Sequence, residues 1–378
     1  MSKTKTILQI AALNPKKMGS FEDLMIDLSL ELKGIGIKSV IVFNDEVPEN
    51  LKSNYQGIDL AVLSQNKNPF KFYYQLYKII KKYKPDIADI HFYPFFSFMT
   101  LFIFFAGVRS IIFTDHCSGE IEEKSSLNVY LSKIRTKFFM KFIKKLVCVS
   151  SFVFERDMTI PGIDPSKLTC VHYGIDLARF SSNKSNREKL RSDLFNIDRN
   201  QFVVMTAANL IKEKGIQYLI KAADILIKEK LNIIFLIVGE GVDGNEFKAE
   251  VLNLGLEKNF IFAGLRSDID KILSISDVFI YLSVWQEAFG LAIVEAMASG
   301  VPVIATRVGG IPELIEDNVT GIIVPPNDHL TVVKALRNLY SNKEILIDMG
   351  KKSRLRTEQI FDIKTRTTKT IRIYNEYL

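Results

Sequence analysis

The chain has 378 residues, of which 47% are hydrophobic and 25% charged, enough apolar content for two ordinary cores. Cys117, Cys148 and Cys170 form an odd, widely spaced set without metal-type pairing, which excludes a disulfide framework and reads as buried thiols of a reducing compartment. The formal charge is +7, and the whole surplus falls before residue 199, a bias that suits nucleic acid or an anionic membrane.

The first apolar run stops at Asn14 and Pro15, so it reads as a first strand rather than a signal peptide. Further strand-like runs begin near Val40, Ile87, Ile111 and Leu146, with helical patterns over 21–32, 70–82 and 127–144. Such alternation predicts a parallel sheet. The apolar stretch 92–108, with Pro94 near its start, sits at the lower length limit for a bilayer span and lies between two strand candidates. A buried crossover helix is the favoured reading, with insertion of its aromatic face in a membrane as the alternative.

Segment 133–145 carries six basic residues and no acid. On a helix, Leu131, Ile134, Phe138 and Phe142 share one side, flanked by Lys133, Lys137, Lys141 and Lys144, with Lys145 following. An anionic membrane surface and a packed helix with a solvated basic edge are equally good readings. Nucleic acid is disfavoured because no recognised binding motif accompanies the patch.

A polar break over 176–200 separates the halves. Strand patterns then recur over 202–207, 233–238, 260–263, 278–282, 301–305 and 321–324. The expected division is an N-terminal domain over 1–180, a linker over 181–200, a C-terminal domain over 201–355, and a helix over 356–378 that returns to the N-terminal domain.

The densest motif lies between Ile280 and Pro312: a strand, a loop with Glu287, a helix opening near Gly290, and Glu295 in its second turn. Amides and dipole at such a helix start receive phosphate. Glu295 is placed to accept from a ribose diol and Glu287 from sugar hydroxyls.

E-A-F-G-L-A-I-V-E resembles the E-x7-E signature of retaining glycosyltransferases of family 4. A-M-A-S-G-V-P-V-I-A-T-R-V-G-G-I-P-E-L-I and T-G-I-I-V-P-P continue the likeness, A-N-L-I-K-E-K-G resembles that family's phosphate-binding turn, and V-H-Y-G-I-D its interdomain segment. The resemblance implies an α/β GT-B fold of two facing Rossmann-like domains with parallel sheets and an interdomain cleft. It also implies transfer of a sugar from a nucleotide diphosphate sugar to a glycan or lipid-linked acceptor with retention of configuration, without cofactor or metal. Glu287, Lys214 and His116 take the catalytic positions. Asn209, Gly239, Arg266, Ala288, Phe289, Gly290, Leu291, Glu295 and Gly19 take donor-binding ones, and His91 and Ser20 fall on the acceptor side. The implied location is cytoplasmic, at the inner face of a membrane.

Departures accompany the likeness. Asn209 stands where the family carries arginine, which leaves Lys214 as the evident cation and Arg266 as a substitute. Met18-Gly19-Ser20 replaces paired glycines. Residues 239–244 fit G-x-G-x-x-G literally but lack the later acid of a nicotinamide site, and Asp268-Ile-Asp270 imitates a metal motif where a helix cap is the simpler reading. An epimerase or phosphorylase of the same architecture, or a non-catalytic sugar-nucleotide-binding subunit, are the other functions these residues allow.

Overall fold

The computed structural model describes residues 4–65, 68–119, 126–180 and 186–378. It divides into two compact units, Met1–Gly174 with Ile363–Leu378, and Ile175–Asp362.

The first unit runs β1 (Thr6–Ala11), α1 (Ser20–Gly34), β2 (Lys38–Phe43), β3 (Asp59–Val62), α2 (Pro69–Tyr83), β4 (Ile87–His91), α3 (Phe98–Phe105), β5 (Ser110–Asp115), α4 (Ser126–Met140), β6 (Lys145–Cys148), α5 (Ser151–Met158) and β7 (Leu168–Cys170). Its parallel strands lie in the order β3-β2-β1-β4-β5-β6-β7, so the order reverses between β1 and β4. The strands are near-continuous apolar runs because helices cover both faces. Ile7, Ile87, Ile112 and Val147 meet Leu28 and Leu32 of α1 in the core.

The second unit runs α6 (Arg187–Phe195), β8 (Phe202–Ala207), α7 (Ile216–Lys228), β9 (Ile233–Val238), α8 (Gly244–Asn253), β10 (Phe260–Gly264), α9 (Ile269–Ile275), β11 (Val278–Tyr281), α10 (Leu291–Ala298), β12 (Val303–Thr306), α11 (Ile311–Leu314), β13 (Gly321–Val324), α12 (His329–Ser341) and α13 (Lys343–Ile360). Its order β10-β9-β8-β11-β12-β13 reverses between β8 and β11. The final helix α14 (Ile363–Asn375) belongs to the first unit, where Lys364 Nζ reaches Asp27 (2.6 Å) and Glu31 (2.9 Å) of α1.

Four expectations change. The linker over 181–200 contains α6, because Arg187 and Arg191 each donate one hydrogen bond to Asp277 at 2.7 Å and another to the Ile275 carbonyl, tying the polar helix to the second sheet; residues 181–185 lie outside the described residues. The helix expected from 356 is two: the end of α13 in the second unit, then α14. Only eight residues of 92–108 are helical, with Phe98 and Phe105 exposed, so this is not a fully buried crossover. Helix α4 stops at Met140: the Lys144 amide donates to Ile111 (2.8 Å) and Lys145 already belongs to β6, which takes Lys141, Phe142, Lys144 and Lys145 off the helical face. Among the described residues no helix is long and apolar enough to cross a membrane.

Candidate active site

In the second unit the loops after β8 and β11 flank the strand-order reversal, where open α/β sheets gather ligands. Lys214 closes the turn after β8, and its Nζ lies 2.5 Å from Glu287 Oε1 and 3.1 Å from the Tyr281 hydroxyl. Tyr281 donates to the same Glu287 oxygen at 3.2 Å. Burial, then the Glu287 charge, holds the Tyr281 phenol well above its ordinary range, so it stays a neutral donor to Glu287. Glu287 is 5% exposed, and Oε2 makes no hydrogen bond among the described residues. One carboxylate oxygen is fixed and the other remains available to a hydroxyl.

Backbone stitching sets this geometry. The Glu213 carbonyl accepts from the Val284 amide (2.8 Å) and the Ser283 hydroxyl (3.1 Å), which binds the Lys214 turn to the Glu287 loop. On the other side the Gly310 amide donates to the Glu287 carbonyl at 2.8 Å, and the Gly309 amide to Gln286 Oε1 at 2.5 Å. Gly309 has φ +52°, and a Cβ there would stand 2.1 Å from the Glu287 carbonyl oxygen. Gly239 is as constrained: with φ +126°, its Cβ would fall 1.9 Å from the Ala208 carbonyl, so the glycine lets the loops after β8 and β9 touch.

Gly290, at φ +114°, opens α10, followed by Leu291, with Glu295 half-buried in the second turn. The side chains of Ala288 and Phe289 are buried, the Phe289 ring 5.7 Å from Phe361. Asn209 is exposed. Arg266 lies after the edge strand β10 and is forked onto Asp268 at 2.8 and 2.7 Å, occupied rather than free to replace the missing arginine, and this fork also engages the first acid of the D-x-D-like pair.

In the first unit His91 ends β4 and His116 follows β5, and the fold joins them: His91 Nδ1 is 3.0 Å from His116 Nε2, whose other nitrogen meets the Tyr173 hydroxyl. His91 Nε2 lies 3.3 Å from Asp89, which also accepts from Tyr374 of α14 at 2.5 Å. Burial, then the charges of His91 and Arg366, pushes His116 well below its ordinary range, so it is a neutral imidazole near pH 7. Phe21 packs edge-on against His91, His116 and Tyr173, and Phe92 stacks on His116 at 4.1 Å. Gly19 is the N-cap of α1, and its amide donates to the Glu22 carboxylate (3.1 Å); Ser20 is buried at the helix start.

Of the basic segment, Lys137, Phe138, Lys141 and Lys144 are exposed, whereas Phe142 is half-buried against Phe104 (4.9 Å) and Lys145 is half-buried. Tyr281, Gln286, Gly309, Asp89 and Tyr173 escaped sequence reading. Tyr281 hid in an apolar strand run, and the tyrosine and histidine partners are far apart in sequence.

The family model described as Glycosyltransferase Family 4 matches residues 24–179, and the one described as Glycosyl transferases group 1 matches residues 186–356. Two Rossmann-like units with this loop constellation define a glycosyltransferase of GT-B type. The chain belongs to glycosyltransferase family 4. It is 29% identical over 303 residues to the Escherichia coli UDP-Gal:alpha-D-GlcNAc-diphosphoundecaprenol alpha-1,3-galactosyltransferase, covering 79% of this chain and 77% of that one. A glycosyltransferase from Rickettsia africae superposes with TM-score 0.83 at 25% identity, covering 99% and 98% of the two chains. An Anabaena protein solved with UDP and glucose shares the fold with TM-score 0.82 at 20% identity, covering 98% and 100%.

Proposed function

We propose that the protein is a retaining, metal-independent transferase that moves a sugar from a UDP-sugar to a hydroxyl of a glycan or lipid-linked acceptor. The carrying observation is the Lys214–Glu287–Tyr281 constellation at the strand-order reversal. The Escherichia coli relative, whose name carries a UDP-sugar and a diphosphoundecaprenol-linked acceptor, supports the choice of substrates.

When the anomeric C–O bond breaks, its electron pair goes to the nucleotide diphosphate. Lys214 and the amides opening α10 oppose that charge. Glu287 Oε2 orients the sugar through its hydroxyls. Held by a lysine and a tyrosine, Glu287 is a poor nucleophile, which favours attack from the leaving-group face: the acceptor oxygen bonds to the anomeric carbon while its proton passes to the departing phosphate oxygen. Configuration is then retained without a glycosyl-enzyme.

The exposed basic and aromatic residues of α4 and the following turn favour an anionic membrane beside the first unit, at its cytoplasmic face. The test is mass spectrometry of products formed from UDP-, GDP- and ADP-sugars with extracted lipid-linked acceptors in EDTA. A product from a UDP-sugar is expected. Transfer that needs added magnesium or manganese would overturn the metal-free reading, and donor epimerised without acceptor would overturn transfer.

A further inference from the structure

Arg366 on α14 is 7% exposed, and its side chain makes no hydrogen bond or ion pair among the described residues. Its Nε is a sealed atom without a partner. The position is fixed from both ends of the helix: Thr367 donates to Asp27 at 2.5 Å, and Tyr374, two turns on, donates to Asp89 at 2.5 Å. Ile363, Arg366, Thr367, Thr370, Ile373 and Tyr374 make up the buried face of α14, so a charge occupies a place where the pattern asks for an apolar or neutral side chain.

Arg366 lies within electrostatic range of Asp89, His116, Tyr173 and Tyr374. Asp89 alone attracts it, through space, and none of the four accepts a hydrogen bond from its side chain. Asp89 is engaged by Tyr374, Thr114 and His91, while both ring nitrogens of His116 are used by His91 and Tyr173. A guanidinium buried without a partner destabilises a fold, and its planar fork matches a phosphate. Among its atoms only Nε is sealed, so Nη1 and Nη2 keep the solvent contact through which an anion arrives.

We propose that Arg366 is the anchor of an anion subsite in the first unit, beside His116 and Tyr173, that takes a phosphate of the bound substrate. The subsite rests on the proposal above of a lipid-linked acceptor, of the diphosphate kind that the Escherichia coli relative's name carries, with His91 and Ser20 of this unit expected on the acceptor side. The phosphate is that of the lipid-linked acceptor.

The test follows the imidazole resonances of the four histidines of the full chain by NMR, with inorganic pyrophosphate added before and after saturation with UDP. His116 is expected to shift. A shift by pyrophosphate over saturating UDP is expected of an acceptor subsite, whereas the same shift by UDP alone, with none on further addition, would overturn it. Arg366→Met should abolish the response at least tenfold in pyrophosphate concentration while raising the melting temperature of the unliganded protein, because an unpartnered buried charge is gone; Arg366→Lys should respond weakly. An Arg366→Met protein that is less stable, or fails to fold, or still responds like wild type would show a structural arginine and overturn the proposal, as would a wild type in which His116 does not move. UDP affinity measured on the same samples, and its loss in Glu295→Ala, tells whether the donor reading stands when the anion subsite falls.

Discussion

Lys214 Nζ and Glu287 Oε1, 73 residues apart in sequence, meet at 2.5 Å across the point where the order of the second sheet reverses. In the proposed donor site this contact pre-places a cation where diphosphate charge would develop and leaves one Glu287 oxygen for the sugar. A donor must draw Lys214 partly away from Glu287, so the two side chains are expected to separate on binding.

Gly309→Ala tests how far that geometry depends on one backbone position. The added methyl would meet the Glu287 carbonyl at 2.1 Å in a conformation that disfavours L side chains. The variant should lose more than about 1 kcal/mol of stability and most of its turnover while still binding free nucleotide. Wild-type turnover in a stable Gly309→Ala protein would show that the Glu287 loop tolerates displacement.

Much of this was legible in sequence. Parallel order and two units followed from apolar runs, and a motif confined to short stretches singled out Glu287, Glu295 and Lys214 as candidates. The Lys214–Tyr281–Glu287 contacts did not, because they join loops after β8 and β11 through a tertiary crossing that no local pattern encodes. Helix α6 was lost among polar residues whose partner, Asp277, lies 86 residues beyond Arg191. Arg366 and the histidine pair show the same failure: their chemistry is set by what surrounds them, not by spacing.

Stability should depend on pH through Asp157. Burial first, then the negative charge of Asp115, raises its carboxyl to about 7, against the opposing pull of Arg156. An unfolded aspartate loses its proton near pH 3.9, about three units lower. Between these values the folded protein holds a proton that the unfolded chain has lost, so stability falls as pH rises from about 4 to about 7 and levels off above. Thermal melts between pH 5 and 8 should show this slope in wild type and a shallower one in Asp157→Asn. Parallel curves for the two proteins would refute the assignment.

Membrane contact is testable on the residues the fold leaves exposed. Ile134 and Phe138 of α4 stand out of the unit, while Phe142 is held by Phe104. Each nearby basic residue contributes about 1 kcal/mol to binding an anionic surface. Replacing Lys133, Lys137 and Lys141 with glutamine should therefore reduce sedimentation with phosphatidylglycerol vesicles by about two orders of magnitude at low salt. If wild type does not sediment with them, α4 is an ordinary packed helix and a soluble acceptor is favoured.

The most direct test of the donor site is calorimetric titration of UDP into wild type, Lys214→Ala, Glu295→Ala and Glu287→Gln. Loss of a charge-assisted contact should weaken UDP in the first two variants by about 1.5–3 kcal/mol, tenfold or more. Glu287→Gln, which faces the sugar, should bind UDP within about threefold of wild type and fail in transfer. Equal UDP affinity in all four proteins would contradict the assignment of the donor site.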